Sequence, residues 1–409
     1  MTEQRCDVLV IGAGLTGLAA ARSLARRGYD VLTIDQAPVG HADGGSHGSC
    51  RIFRLGYEDP GYVRLARHAR GLWSELADET GTPMLYPVPQ LTFGPQMTQV
   101  RDALVRAGAA CEPIDASEAA RRFPGVSITG PAIVEPDSAV IAADRALAAL
   151  AELAGEVRTG GAVTAIADDG RRVTVSTSDG SRIEARRVVV CAGPWTAGLL
   201  APAGITVPGT ATMEQVSYFL PAGLAQEAAD PGPGSTGPGS TGPGSTGAAS
   251  PGAASTGAAS TGHDDGWPAL PIVVHYGGQF LYGLPVPGST QYKAGLHHGG
   301  PVTDPGHLDH AESSALSLHT EQAVAEFLPG LRPRAAAVER CVYDNSPDED
   351  FIIDRIGNVV VGAGTSGHGF KFGPLLGEWL TALATEGAAR QGAATAEFPP
   401  RRFALKRFG

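Results

Sequence analysis

The sequence predicts an α/β protein in which a mostly parallel sheet flanked by helices is joined to a second, mainly antiparallel β domain. Short apolar runs that end in glycine turns occur at residues 7–11 and 188–191 and around 351–364, and such runs are typical of buried parallel strands. Residues 86–140 and 265–300 instead contain short alternating segments with many Pro and Gly, which favours antiparallel strands. With 409 residues, the chain is long enough for two such domains.

The first elements form a strand–helix–strand unit. Residues 7–11 are predicted as a buried strand, and residues 15–27 follow as a helix with one apolar face, ended by Gly28 as C-cap. Residues 29–35 are the second strand. Two strands joined by a crossover helix in this way are expected to be parallel.

The same pattern returns later in the chain. Residues 182–191 predict another buried strand before a glycine turn, and residues 351–364 predict two strands joined by a tight turn. A helix is expected from about residue 374 to 384, and it begins at a proline, which suits the first helical turn.

Composition and charge argue against several classes of partner. A net charge of −11 and a pI near 5.5 disfavour nucleic acid or an anionic membrane. No stretch reaches the roughly 18 continuous apolar residues of a membrane span, and acidic residues precede the first apolar run, unlike in a signal peptide. Five scattered cysteines without paired spacing indicate a reducing, cytoplasmic setting.

A glycine fingerprint joins the first strand to the first helix. Residues 12–17 read Gly-Ala-Gly-Leu-Thr-Gly, a G-x-G-x-x-G pattern. Here Gly12 permits a tight turn, Gly14 lets a pyrophosphate approach the backbone, and Gly17 allows close packing of helix on strand. Asp35 ends the second strand, 18 residues after Gly17, where an acid can bind a ribose hydroxyl. The pattern predicts FAD or NAD rather than NADP.

This fingerprint predicts a Rossmann-type dinucleotide-binding domain that is discontinuous in sequence. We expect it to comprise residues 1–85, 146–205 and 336–409. The second, substrate-binding domain would comprise residues 86–145 and 206–335.

Residues 231–262 differ in character from the rest of the second domain. They repeat a degenerate five-residue unit of small residues without a charge or a large apolar side chain. Such a segment cannot bury enough surface to offset its loss of conformational entropy, so we expect a flexible loop, the expanded tip of a hairpin.

A polar cluster follows the second strand. The segment "GSHGSCRIFRLGYED" at residues 45–59 contains Ser46, His47, Arg51 and Arg54. The two arginines are three residues apart, so in a helical turn both would point the same way. Paired guanidinium groups suit a planar carboxylate, whereas a solvated basic surface is the alternative. The sequence contains no convincing Ser/His/Asp triad or metal-ligand cluster, and no metal site is predicted.

Four sequence blocks resemble the flavin amine oxidases of the monomeric sarcosine oxidase and N-methyltryptophan oxidase family, over nearly the whole chain apart from residues 231–262. The blocks are "VIGAGLTG" (10–17), "GSHGSCRIFR" (45–54), "YKAGLHHGG" (292–300) and the pair "CVYDNSPDEDFIID" (341–354) and "GTSGHGFKFGP" (364–374). The last pair is the most specific, and we interpret its first part as a polar loop that begins at Cys341.

The resemblance implies an FAD-dependent oxidase of secondary amino acids, which forms an imine that hydrolyses while O₂ is reduced to H₂O₂. In that family the cysteine matching Cys341 is attached to the flavin as an 8α-S-cysteinyl thioether. The residues matching Arg54 and Lys371 receive the substrate carboxylate. The resemblance also implies a monomer whose partners are a small-molecule amine and O₂.

Further roles follow from the same resemblance. Arg51 matches an arginine beside the flavin ring, and Lys293 matches the lysine that activates O₂. His297, Tyr282 and Tyr343 match residues that shape the amine pocket.

The expected FAD-binding residues share these blocks and the glycine turn after the strand near residue 188. They are Gly12, Gly14, Thr16, Gly17, Asp35, Gln36, Ser46, His47, Arg51, Val163, Ala192, Gly193, Trp195, Cys341, Gly367, His368, Gly369, Phe370 and Lys371.

Several residues keep an alternative interpretation. Taken alone, Cys341 would be a small buried hydrophobe, and Cys50, which stands where the family commonly has Thr, could be the reactive thiol instead. Lys293 could be a solvated strand lysine. His297 could be a structural histidine, since His298 adjoins it and the sequence does not decide which side chain points inward.

The substrate stays open at this level, since Leu281 stands where relatives often carry Tyr. An oxidase of a cyclic imino acid or a biosynthetic intermediate is the main alternative. A non-catalytic flavin-binding protein is disfavoured by the presence of Arg54, Lys293 and Lys371 together with Cys341. An NAD-dependent dehydrogenase would need neither an attachment cysteine nor a second glycine-rich loop.

Overall fold

The structure is a computed structural model that describes residues 3–223, 270–278, 280–385 and 399–409, so the repeat at 231–262 lies outside the described residues. The strands are β1 (Glu3–Ile11), β2 (Val31–Asp35), β3 (Cys50–Phe53), β4 (Leu85–Pro87), β5 (Gln90–Phe93), β6 (Glu112–Ile114), β7 (Ala132–Glu135), β8 (Ala139–Ala142), β9 (Glu156–Thr159), β10 (Val163–Asp168), β11 (Val173–Thr177), β12 (Arg182–Val190), β13 (Thr210–Phe219), β14 (Ile272–His275), β15 (Leu281–Pro285), β16 (Tyr292–Leu296), β17 (Ala337–Asn345), β18 (Ile352–Ile356) and β19 (Val359–Ala363). The α-helices are α1 (Leu15–Arg26), α2 (Pro60–Thr80), α3 (Met97–Arg106), α4 (Ala116–Arg122), α5 (Ala143–Leu153), α6 (Thr196–Leu200), α7 (Ser314–Phe327) and α8 (Gly373–Ala384).

The first sheet contains the predicted βαβ unit. Strands β9, β2, β1, β12 and β19 run parallel, and β11 and β10 extend the sheet as antiparallel strands beyond the first half of β12. Strand β18 pairs with β19 as an antiparallel hairpin. The strands and helices predicted around residues 7–35, 182–191 and 351–384 are all present.

The parallel strands are buried on both faces, which explains their continuous apolar runs. Val8 and Val10 of β1 pack into the core that includes the apolar faces of α1 and α8. Leu9 and Ile11, which point the other way, pack into a second core with residues of β2, β11 and β12. Since successive side chains alternate between the two faces, an uninterrupted apolar strand is needed to fill both cores.

The second large sheet is mainly antiparallel, as predicted. Its strand order is β17-β13-β16-β15-β14-β5-β7-β6, and the β14–β5 pair is its parallel step. Strands β3, β8 and β4 form a separate three-stranded sheet in that order. The segment 336–409 contributes to both large sheets, because β17 pairs with β13 whereas β18 and β19 belong to the first sheet.

Two local predictions were wrong, both because strand pairing outweighed local preference. Arg51 lies in strand β3 and not in a helical turn, since Cys50–Phe53 pairs with β8. Cys341 lies in strand β17 and not in a loop. Its polar neighbours extend the strand to Asn345 because β13 satisfies their backbone groups, from the Tyr218–Ala337 pair to the Thr210–Asn345 pair.

Among the helices described here, none combines the length and the apolar character needed to cross a membrane.

Candidate active site

A cavity of about 880 Å³ begins at the carboxyl ends of the parallel strands and continues between the two large sheets. Its first part is lined by the ends of β1, β2 and β12, the position at which α/β sheets bind ligands. Its second part is lined by residues of β15, β16 and β17. The volume lies within the range of small-molecule and cofactor sites, about 300–1,000 Å³.

The glycine turn forms the floor of the first part. Gly12 has a φ of +104°, and a Cβ at this position would lie 2.2 Å from the carbonyl oxygen of Cys191. A Cβ on Gly17 would lie 1.9 Å from the carbonyl oxygen of Gly12, so the helix packs directly on the turn. Gly12, Gly14 and Thr16 line the cavity, whereas Gly17 lies behind them. The N-terminus of α1 therefore faces the cavity with its N–H donors.

Asp35 fastens this turn to the end of β2. Its carboxylate accepts hydrogen bonds from the backbone N–H of Ala13 at 2.6 Å and of Ala37 at 3.0 Å. Ser46 contributes from the other side, since its Oγ accepts from the N–H of Leu15 at 3.0 Å. Every predicted FAD-binding residue except Gly17 lines the cavity, including Gln36, Val163, Ala192, Gly193 and Trp195.

The donor set of this first part fits an FAD molecule. Gly12 and Gly17 have no room for a side chain, the helix N-terminus faces the space where phosphates would bind, and an acid stands at the end of the second strand.

Arg51 and His47 form the wall where the two parts of the cavity meet. The imidazole of His47 lies between the carbonyl oxygens of Gly44 and Arg340, at 2.8 Å and 2.9 Å. Burial and the Arg51 guanidinium lower the pKa of His47. Arg51 donates to the carbonyl oxygen of Cys50 at 2.9 Å, and its Cζ lies 5.4 Å from the centre of the Phe370 ring.

Lys293 is not a solvated strand lysine. It lies in β16, is 4% exposed and lines the cavity. Burial, followed by the nearby Arg51, lowers the pKa of Lys293, whereas Glu339 acts in the opposite direction. The Glu339 carboxylate also accepts a hydrogen bond of 2.6 Å from Tyr218, whose ring centre lies 5.5 Å from Lys293 Nζ. A buried cation with one nearby carboxylate thus faces the second part of the cavity.

Two free thiols line the same region. Cys341 and Cys50 are both buried, and burial raises the pKa of both. Arg51 and Lys293 act against this rise at each thiol, since cations favour the thiolate. Cys341 lies opposite Glu214 in the β17–β13 pair.

Arg54 and Lys371, here called the cation pair, both contact Tyr57. Lys371 donates hydrogen bonds of 2.9 Å to the Tyr57 hydroxyl and to the His368 carbonyl oxygen. The Cζ of Arg54 lies 4.2 Å from the centre of the Tyr57 ring, and Arg54 donates a hydrogen bond of 2.7 Å to the hydroxyl of Tyr276. Tyr57 therefore contacts both cations at once.

The positive charge of the cation pair is not balanced by a carboxylate at ion-pair distance among the described residues. Burial, together with Arg54, lowers the pKa of Lys371 well below its usual value. Burial would also lower the pKa of Arg54, but Tyr276, Tyr57 and Glu135 outweigh it and raise that pKa. Within the described parts of the chain, neither cation has a carboxylate at ion-pair distance, and both line the cavity. A substrate carboxylate would supply the missing negative charge.

An aromatic wall lines the same cavity as the cation pair. His297 faces the cavity, whereas its neighbour His298 is exposed with a φ of 55°. The His297 ring lies 5.1 Å from that of Phe280 and 5.6 Å from that of Tyr343. Burial, followed by His298, lowers the pKa of His297 well below its usual value, so this imidazole is neutral near pH 7. Tyr282, next to Tyr343, has its phenol pKa raised by burial.

Glycines and His368 of the C-terminal block complete the site. Gly367, His368, Gly369 and Phe370 line the cavity directly before Lys371. Burial and Lys371 lower the pKa of His368 to about 3, so its side chain is neutral and accepts from or donates to Tyr57 Oη at 3.2 Å.

Sequence reasoning missed Tyr57, Tyr276 and Glu339. Tyr57 stood within the quoted "GYED" segment, three residues after Arg54, and this spacing was a usable signal. Tyr276 directly follows β14, and Glu339 lies in β17, two residues before Cys341. Nothing local marked these two residues, because they reach the site only through pairing of distant strands.

Comparison with known proteins assigns the chain to a family. A family model described as FAD dependent oxidoreductase matches residues 7–383. The human peroxisomal sarcosine oxidase is 31% identical over 92% of this chain and 91% of its own length. The monomeric sarcosine oxidase of Arthrobacter sp. (strain TE1826) is 29% identical over 93% and 92%, and the N-methyl-L-tryptophan oxidase of Yersinia pestis (strain Pestoides F) is 29% identical over 91% and 93%.

Solved structures support the fold. NikD, an unusual amino acid oxidase essential for nikkomycin biosynthesis, aligns with a TM-score of 0.76 and 22% identity over 95% of this chain and 96% of NikD. The L-proline dehydrogenase of P. horikoshii aligns with a TM-score of 0.76 and 20% identity over 100% and 98%. The chain therefore belongs to the family of FAD-dependent oxidoreductases, with sarcosine oxidases and an N-methyl-L-tryptophan oxidase among its relatives.

Proposed function

We propose that the protein is an FAD-dependent oxidase of secondary amino acids, of the sarcosine or N-methyl amino acid type. The substrate C–N bond is oxidised to an imine, water hydrolyses the imine, and O₂ takes up the two electrons and two protons to give H₂O₂. The cation pair of Arg54 and Lys371 carries the proposal, because two buried cations without a carboxylate partner in the described chain suit an amino acid. The oxidases among the relatives agree with it.

Bound FAD would supply an acceptor for the two electrons that leave the carbon beside the amine nitrogen and a donor of those electrons to O₂. The residues that would hold it are the glycine turn at 12–17, Asp35, and the wall formed by Ser46, His47 and Arg51. Arg51 provides a positive charge that favours an electron-rich cofactor.

The protein groups act on the substrate by binding and orientation. Arg54 and Lys371 hold the carboxylate, so the amine end points towards the aromatic wall of His297 and Tyr343. His297 is neutral, and therefore it does not repel or protonate a neutral amine. Fixed orientation in a site closed by aromatic side chains supplies much of the acceleration, without a strong base.

Lys293 is proposed to bind O₂ as it is reduced. Its ammonium is buried in the cavity wall near Arg51, and a cation in a water-poor site stabilises negative charge that develops on oxygen. Tyr282 lines the same part of the cavity and would limit the space for the amine substituent.

We also propose that FAD is attached covalently through the sulfur of Cys341. The thiol lines the cavity in β17, and Arg51 and Lys293 favour its thiolate. Cys50 offers the matched control, since it is buried in the same wall and close to the same cations. Acid-precipitated wild-type protein and Cys50→Ser should keep the yellow colour in the pellet, whereas Cys341→Ser should release it. Colour released from wild type, or retained by Cys341→Ser, would contradict attachment at this residue.

A substrate panel tests the proposed reaction. Peroxide production should be measured with sarcosine, other N-methyl amino acids, cyclic imino acids and the corresponding amines without a carboxylate. We expect turnover of N-methyl amino acids and a large loss of kcat/KM for the amines. Preferred turnover of cyclic imino acids would favour the alternative substrate class, and bound FAD without turnover of any member would contradict an oxidase.

A monomeric, cytoplasmic enzyme is the accompanying proposal. All five cysteines are free, which is consistent with a reducing compartment. Size-exclusion chromatography with light scattering should give a mass near the 41.9 kDa of one chain plus FAD, and a dimer mass would contradict it.

A further inference from the structure

We propose that Glu135, a buried carboxylate outside the cavity lining, is a positioning residue that holds the cation pair in its binding geometry. The inference rests on the proposed function, since it names a further residue for binding the substrate carboxylate. Glu135 is the last residue of β7 and is 1% exposed. Glu135 does not line the cavity, so any effect that it has on the substrate is indirect.

The Glu135 carboxylate is surrounded by hydrogen-bond donors. It accepts from the backbone N–H of Gly56 at 2.8 Å, from Thr92 Oγ1 at 2.6 Å and from Gln90 Nε2 at 2.8 Å. Gln90 stands directly opposite Glu135 in the β5–β7 pair. Burial raises the pKa of Glu135, and the three donors together with Arg54 act against this rise by favouring the charged form.

A chain of hydrogen bonds connects this carboxylate to Arg54. Gly56 donates its N–H to Glu135, and its carbonyl oxygen accepts a hydrogen bond of 3.3 Å from the Tyr276 hydroxyl. The same hydroxyl oxygen accepts from Arg54 Nη1 at 2.7 Å. By fixing the Gly56 backbone, Glu135 fixes the carbonyl that receives the Tyr276 hydroxyl. Its negative charge also acts directly on the Arg54 guanidinium, whose pKa it raises.

The other cation is reached through the next residue in sequence. Tyr57 follows Gly56, its ring lies under Arg54, and its hydroxyl accepts from Lys371. The position of the Gly56 backbone therefore affects both tyrosines that contact the cation pair, Tyr276 through the Gly56 carbonyl and Tyr57 as the next residue. This position is tight, because a Cβ on Gly56 would lie 2.6 Å from Glu135 Oε1.

An amide at this position would keep the shape of the carboxylate but not its charge. The oxygen of a glutamine could still accept from the Gly56 N–H, and its NH₂ group could donate to Thr92 Oγ1 or to the Gln90 amide oxygen, which has no hydrogen-bond partner among the described residues of the wild type. Glu135→Gln thus keeps the volume of the side chain and removes its negative charge. Because the volume is unchanged, a loss of carboxylate binding in this variant would come from the missing charge and not from a packing defect in the core.

The test uses the FAD-loaded enzyme and propionate as a probe, with propionamide as its uncharged match, both followed by flavin absorbance. In Glu135→Gln we expect the Kd of propionate and the KM of the amino acid substrate to rise about tenfold, as for one charge-assisted hydrogen bond. The affinity for propionamide and the kcat should change by less than about threefold, because no group that touches the reacting atoms is altered.

Glu214→Gln is the matched control. Glu214 is also a buried carboxylate, 1% exposed, which accepts from the Gly300 N–H at 2.8 Å and Thr212 Oγ1 at 2.7 Å, but none of its hydrogen-bond partners contacts the cation pair. Its propionate affinity should stay at the wild-type value. Equal losses in both variants, or no loss in Glu135→Gln, would overturn the inference.

Tyr276→Phe keeps the inference testable if Glu135→Gln does not fold. It breaks the same chain one step closer to Arg54, and we expect a similar loss of propionate affinity. In the double variant, the loss of propionate affinity should be little larger than in Tyr276→Phe alone. A free-energy loss equal to the sum of the two single-variant losses would contradict a shared chain. Propionate binding needs no turnover, so an inactive protein that shows these effects would contradict only the proposed reaction.

Discussion

Replacing Lys371 with Met tests the cation pair most directly, because Met keeps the apolar length of the side chain and removes the ammonium group. Lys371 is 5% exposed, and its two hydrogen bonds go to neutral acceptors, Tyr57 Oη and the His368 carbonyl oxygen, each at 2.9 Å. A bound carboxylate would be a stronger acceptor than either. The variant should therefore lose affinity for the carboxylate and little else.

The size of the loss follows from the contact that is removed. A hydrogen bond to a charged group contributes about 1.5–3 kcal/mol, and every 1.4 kcal/mol or so changes an equilibrium constant tenfold. We therefore expect the KM for the amino acid and the Kd for propionate to rise roughly 10- to 150-fold. The Tm should change little, because burial of the ammonium opposes folding whereas its two hydrogen bonds favour it.

The assay combines peroxide production at varied substrate concentration with propionate titration by flavin absorbance. Lys406→Met is the matched control, since Lys406 is exposed near the C-terminus and should give wild-type values. A propionate affinity in Lys371→Met within twofold of wild type, at normal FAD content and Tm, would refute the role of this ammonium in carboxylate binding.

Three further outcomes are expected. The kcat/KM of wild type should fall as the pH rises through the pKa of Lys371, which burial and Arg54 hold well below the usual lysine value, and a pH profile of Lys371→Met should lack this alkaline limb. Lys293→Met should slow reoxidation by O₂ about 100-fold in stopped-flow measurements, while anaerobic reduction by substrate stays within a few fold; equal slowing of both steps would argue against an oxygen site. Gly12→Ala should abolish FAD binding, measured by absorbance of the purified protein, because its Cβ would lie 2.2 Å from the Cys191 carbonyl oxygen.

The nucleotide-binding elements could be predicted from the sequence because they obey local rules. The apolar run of β1, the glycine turn at residues 12–17 and the apolar face of α1 lie within one short segment, and each step depends on residues a few positions apart. The same holds for α8, which begins next to Pro374. Asp35 could be singled out because it ends the second strand, 18 residues after Gly17.

The site between the sheets could be predicted only as far as family resemblance reached. Arg54, Lys293, Lys371 and Cys341 line one cavity, although nothing in their spacing brings them together. Without the resemblance, Lys293 would have been interpreted as a solvated strand lysine.

The tertiary structure decided the rest, because strand pairing and burial depend on residues far apart in sequence. Arg51 is in a strand since β8 pairs with β3, and Cys341 is in a strand since β13 pairs with β17. Tyr276, directly after β14, and Glu135, at the end of β7, come to Arg54 from 222 and 81 positions away by residue number. A local sequence pattern can predict a turn that binds phosphate. The buried cations of a carboxylate-binding site meet their hydrogen-bonding and charged neighbours only when strands from distant parts of the chain have paired.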